Sequence, residues 1–161
     1  MGERRNRLFI AAPAAVIRHL GGLFAAHEIE IVGCETWDDA VSRLEEKEAD
    51  LLVICYAFDE MRPFRLLQYL RQERPRGHLP TILVRALPVP LGKTQEEQIR
   101  ESYQNLGVDQ FYNLYDEKQR EGAEVALRHF RDVVLARLPR APEQFRQAAN
   151  RSGARGAKSG A

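Results

Sequence analysis

The chain has 161 residues, 44% of them hydrophobic, a formal net charge of +1 and two cysteines. That is the length of one domain with enough apolar residues for a core, and the near-neutral charge excludes a strong field steering it to nucleic acid or membrane. No apolar run approaches the roughly 20 residues that span a bilayer, and Cys34 and Cys55 are too few for a disulfide scaffold, so a cytoplasmic location is expected.

The charged N-terminus, residues 1–7, is not followed by a signal-peptide core. The apolar stretch 8–17 is short and contains Pro13. The first strand is predicted over 7–12, and Ile17, Leu20 and Phe24 share the face of the helix after it. A second strand, 28–33, leads to a helix with Trp37, Ala40, Val41 and Leu44 on one face; Thr36 caps it, with Asp39 three residues on. A third strand, 50–56, is apolar throughout and precedes a helix carrying Phe64, Leu67 and Leu70. A fourth, 81–86, is followed by the proline-containing stretch 87–93. The next helix carries Ile99, Tyr103 and Leu106, with Thr94 and Glu97 as an expected capping box and Gly107 as its stop. The fifth strand, 109–113, precedes a last helix striped by Ala123, Leu127, Phe130 and Val134, which ends near Leu138 because Pro139 and Pro142 follow.

Strands alternating with helices imply right-handed crossovers and a parallel sheet covered on both faces. Five such units predict a flavodoxin-like, doubly wound α/β fold with strand order 2-1-3-4-5 over residues 1–138. Residues 139–161 are different in kind. Arg140, Arg146, Arg151, Arg155 and Lys158 stand against Glu143 alone, a net +4, and Gly, Ala and Ser dominate the end. This segment is expected to be a basic, flexible tail with a short helical turn over 143–149.

In this architecture the functional site lies outside the carboxyl ends of the strands. The buried strand Asp50-Leu51-Leu52-Val53-Ile54-Cys55, the loop from Tyr56 to Pro63 and the helical run from Phe64 to Arg71 together resemble the receiver domains of two-component response regulators (CheY-like domains). The match runs without a gap. It implies that Cys55 stands where receivers keep the phosphorylated aspartate. Likewise Ala12 and Pro13 fall on the magnesium-binding acidic pair, Arg85 on the threonine or serine ending the fourth strand, Leu114 on the lysine ending the fifth, and Phe111 on the switching aromatic. Each chemical marker is replaced. A hard cation needs oxygen ligands, and phosphoryl transfer without a metal or a positioned cation lacks its electrostatic stabiliser. The resemblance therefore implies a pseudo-receiver: no enzyme, no metal, no cofactor, output by binding a protein partner.

The partner surface expected from the resemblance is the face of the fourth helix, fifth strand and fifth helix. Leu87, Pro88, Val89, Pro90 and Leu91 border it, and Tyr103, Tyr112 and Tyr115 lie near it. Aromatic residues are enriched at interfaces. Val125, Val133 and Leu135, off the main stripe of the last helix, point to a second buried face and a homodimer. Two alternatives remain open. Arg85 beside Cys55 would lower a thiol pKa and make a redox sensor, although a cysteine ending a buried strand is commonly a small core residue. The basic tail would bind nucleic acid weakly, with low specificity. A Cys34–Cys55 disulfide is excluded by two strand spacings, about 9.5 Å, against the roughly 7 Å limit between Cα atoms. Arg85 is also expected to pair with Asp59 or Glu60. His19, His27, His78 and His129 have no ligand spacing.

Overall fold

A computed structural model describes residues 5–72, 78–88 and 92–139. Five strands form one parallel sheet in the order 2-1-3-4-5: β1 (Asn6–Ala11), β2 (Ile29–Cys34), β3 (Leu51–Cys55), β4 (Thr81–Val84) and β5 (Gln110–Tyr112). The register pairs Leu8 with Ile31 and Leu51, Ile54 with Leu83, and Leu83 with Phe111. The expected strand order is the one observed. β3 is buried at every position, as a central strand covered on both faces must be.

The helices are α1 (Ala14–Gly21), α2 (Trp37–Glu46), α3 (Pro63–Gln72), α4 (Lys93–Asn105), α5 (Leu114–Glu121) and α6 (Ala123–Arg137), with a 3₁₀ turn at Gly22–Phe24. Side chains alternate across the strands and divide the core in two. Leu8, Ile10, Val53, Cys55 and Val84 meet α1 and α6 through Val16, Leu20, Phe130 and Val134. Phe9, Ala11, Leu52, Ile54 and Leu83 meet α2 and α3 through Ala40, Leu44, Leu66 and Leu67. Close approach is built in at Gly33, where a Cβ would sit 2.7 Å from Ile17 Cγ2.

Thr36 caps α2 as expected, its Oγ1 accepting from Asp39 N at 3.2 Å. α4 begins earlier than the sequence suggested. Gly92 is its N-cap, and Gln95 Oε1 accepts from Gly92 N at 3.2 Å, replacing the Thr94–Glu97 box. Gly107, at φ +87°, follows the end of α4. That backbone conformation is one L side chains rarely adopt, which favours glycine there.

The last predicted helix is α6, and a further short helix, α5, precedes it. Gly122, at φ +87° and ψ 156°, breaks the chain between α5 and α6. α5 was missed because only Leu114 of its eight residues is buried, so it shows no apolar stripe. On α6, Leu135 is buried and Val133 packs against the first core, while Val125 is exposed.

Candidate functional site

The strand ends bring the expected positions together at the carboxyl edge of the sheet. β1 runs into Ala12, whose N–H donates to Cys34 O at 3.0 Å. Pro13, half-buried, is the N-cap of α1. β3 ends on Cys55, and Tyr56 N continues the ladder to Val84 O at 3.2 Å. Arg85 follows β4. Its N–H donates to Tyr112 O at 2.9 Å, and its carbonyl accepts from Tyr115 N at 2.8 Å. Asn113 then caps α5, its Oδ1 accepting from Asp116 N at 3.1 Å.

This geometry closes the site. Ala12, Cys55 and Leu114 are 0%, 1% and 0% exposed and belong to one apolar cluster with Val84 and Val53. None of the three offers an oxygen ligand. Backbone N–H groups of Ala57 and Ala86 point at the Cys55 sulfur, yet burial outweighs them and pushes the thiol pKa up. Burial pushes Cys34 up to about 12. Among the described residues no three His, Cys, Asp or Glu side chains converge to hold a metal ion. No described helix is long and apolar enough to cross a membrane.

Arg85 does not pair with Asp59 or Glu60. Its Nη1 lies 3.6 Å from Asp116 Oδ1, and its guanidinium carbon is 5.5 Å from the centroid of the Tyr115 ring. Asp59 is held by Arg62 at 3.7 Å and Arg65 at 3.5 Å instead. Those contacts stabilise a left-handed turn after Phe58: Asp59, Glu60 and Met61 have φ of 49°, 57° and 65°. Left-handed backbone costs non-glycine residues roughly 1–2 kcal/mol each. The turn lies beside the closed site and leaves Met61 48% exposed.

Phe111 is held between two groups. The Tyr56 ring centroid is 5.3 Å away, and the Arg100 guanidinium lies over the ring at 4.6 Å. Tyr56 is itself buried, and its hydroxyl finds no hydrogen-bond partner among the described residues. Tyr112, expected on the partner surface, is a core residue on the opposite side of the sheet. Its hydroxyl donates to Glu117 Oε2 at 2.6 Å and lies 2.9 Å from His129 Nδ1. Burial and the Glu117 carboxylate both raise its pKa.

Tyr103 and Tyr115 are half-buried, and Leu87 and Pro88 are exposed. Val89, Pro90 and Leu91 lie outside the described residues, as does the tail beyond Pro139. One feature was not expected from the sequence. α4 buries none of its residues fully, and a groove of about 480 Å³ runs beside it, lined by Phe64, Gln95, Gln98, Ile99, Ser102, Tyr103 and Leu106. The i, i+3, i+4 spacing of the α4 residues was the available signal.

No family model matches the sequence, and no curated protein matches it. Solved structures of receiver domains match the fold. The chemotaxis response regulator CheY4 of Vibrio cholerae aligns with a TM-score of 0.58 at 10% identity, over 81% of this chain and 99% of that one. A two-component response regulator from Clostridium difficile gives 0.55 at 16% identity, over 79% and 98%. A CheY-like receiver domain from Methanospirillum hungatei gives 0.53 at 15% identity, over 79% and 99%. The fold is therefore flavodoxin-like and CheY-like, and identities this low carry nothing about activity.

Proposed function

We propose that this protein is a pseudo-receiver, a receiver-like domain that acts by binding a protein partner in bacterial signalling without being phosphorylated. The observation that carries the reading is the closure of the site: Ala12, Cys55 and Leu114 pack into one apolar cluster where a phosphoryl group and its cation would need oxygen ligands and water. Apolar side chains at these three positions offer no charge or oxygen ligand to stabilise a transferring phosphoryl group. The burial of Cys55 also weighs against a redox sensor, since a reactive thiol is exposed and of lowered pKa.

In this reading residues 1–138 form the folded cytoplasmic unit and 139–161 a basic tail. The partner surface runs along α4, β5 and α6, with Leu87, Tyr103 and Tyr115 as contact residues. β5 is the edge strand, and Leu87 is exposed. The same face would also serve self-association into a homodimer. The test is capture of a partner from the native cell extract by the full chain, repeated with Leu87→Glu and Tyr103→Ala. Both variants keep the unfolding midpoint within the error of the parent and lose the partner if the surface is correctly placed. Undiminished capture by both refutes that placement.

A further inference from the structure

α5 has little apolar attachment to the fold. Leu114 is its one buried residue. Gly122, at φ +87° and with open space where a side chain would stand, joins it to α6. Polar contacts hold its two sides, and each side meets a histidine.

On the α6 side the Glu117 carboxylate is shared. Tyr112 Oη donates to Glu117 Oε2 at 2.6 Å. His129 Nδ1 lies 2.8 Å from Glu117 Oε1 and 2.9 Å from Tyr112 Oη. The tyrosine gives its single proton to Glu117, so the short distance from Nδ1 to the carboxylate needs a proton on Nδ1. Nε2 is then the atom that titrates. Neutral or charged, His129 keeps donating from Nδ1. The other charges near it leave this unchanged. Arg128 adjoins it on α6, and Asp132, one turn on, is held by Arg131 at 3.1 Å. On α5, Arg120 and Glu121 lie one turn from Glu117, and the 3₁₀ turn Gly22–Phe24 carries no charge.

On the α1 side Lys118 Nζ lies 3.2 Å from His19 Nε2. An ammonium group only donates, so Nε2 accepts and carries no proton. This contact exists while His19 is neutral. Protonation turns Nε2 into a donor and sets two cations face to face. Burial and the Lys118 charge both lower the His19 pKa. Of the charged groups on elements packed against α1, Lys118 is the one that acts on His19. Arg18 adjoins it on α1, and Ala15, Val16 and Leu23, one turn away, are uncharged.

We propose that α5 is a pH-sensitive strap: protonation of His19 releases it from α1, while the Glu117–His129 contact keeps it on α6. Gly122 is the pivot. α5 carries Tyr115, so release would displace one residue of the partner surface. That consequence rests on the reading of the surface; the strap itself does not.

The test follows NMR cross-relaxation contacts in the full chain from about pH 8 to about pH 5, the range in which histidine titrates. The contact between the His19 ring and the Lys118 methylenes is expected to weaken about threefold, the order set by charge contacts at exposed sites. The loss should track the titration of His19, at a midpoint below that of free histidine. The contact between the Tyr112 and His129 rings, whose centroids are 5.7 Å apart, should persist. His19→Gln supplies an oxygen that accepts from Lys118 and takes no proton, so the contact from position 19 to Lys118 should then survive at every pH. A His19–Lys118 contact that survives protonation of His19 overturns the proposal. So does its loss together with the Tyr112–His129 contact, which is general loosening, and so does an equal loss in His19→Gln. No partner is present in any arm, so failure here is separate from failure to capture one.

Discussion

On the proposed reading, replacing Cys55 by aspartate supplies the residue that receivers phosphorylate, and the burial of the position predicts that it damages the protein instead. The new carboxylate enters a position 1% exposed, in one apolar cluster with Ala12 and Leu114. Burial alone raises carboxylate pKa values by up to about 3–5 units. The N–H groups of Ala57 and Ala86, aimed at the present sulfur, offset part of that by hydrogen-bonding the anion. A net rise of about 2 units corresponds to about 2.7 kcal/mol at neutral pH, a large share of the ~5–15 kcal/mol that holds a domain. The sign follows from linkage. A folded-state pKa above the unfolded value of about 3.9 means the loss is largest above the folded pKa. It shrinks as pH falls and vanishes below the unfolded pKa. Urea unfolding of Cys55→Asp and the parent at neutral and mildly acid pH reads this directly. The variant should be less stable by about 2–3 kcal/mol at neutral pH, should recover toward the parent on acidification, and should gain nothing from magnesium. A variant as stable as the parent at neutral pH, or one that magnesium stabilises, refutes the argument from closure.

Three further expectations follow from particular residues. Tyr56→Phe removes a buried hydroxyl without a partner among the described residues and should raise stability by about 1 kcal/mol in urea unfolding; a loss of that size means the hydroxyl is bonded. Glu60→Gly relieves a left-handed backbone at φ 57° and should stabilise by about 0.5–1 kcal/mol after the entropy of the added glycine; destabilisation contradicts the left-handed turn. Both cysteines are buried with raised pKa values, so a thiol reagent should modify them only as fast as the protein opens. Rapid modification of Cys55 in the native state reopens the redox reading.

Much of the fold is legible in the sequence because its strands are pure apolar runs. Leu51 to Cys55 has one reading, and the alternation of strands with striped helices leaves few topologies. What was illegible has physical causes. α5 hides because only one of its residues, Leu114, is fully buried; Asn113 with Asp116, and Gly122, are its punctuation. The turn at Asp59–Met61 adopts left-handed backbone without a glycine to announce it. Tyr112 was assigned to the same surface as Tyr103 by proximity in sequence. Strand alternation decides otherwise, since Phe111 and Tyr112 are adjacent on β5 and must face opposite sides. Only Phe111 packs on the side of α4. Asp59 and Glu60, in the loop after β3, are the acids the sequence offers Arg85, but its backbone bonds to Tyr112 and Tyr115 carry it toward α5 and Asp116. The closure itself was half legible: Ala12, Cys55 and Leu114 announced the missing chemistry, and their meeting in one cluster needed the structure.

The most direct measurement on the central claim is a titration of the ¹⁵N-labelled full chain with magnesium and beryllofluoride, a mimic of a phosphoryl group. The account predicts unchanged amide shifts at Ala12, Tyr56, Ala57, Ala86 and Leu114, because no oxygen ligand or open space is present there. Saturable shifts clustered at those residues would contradict it.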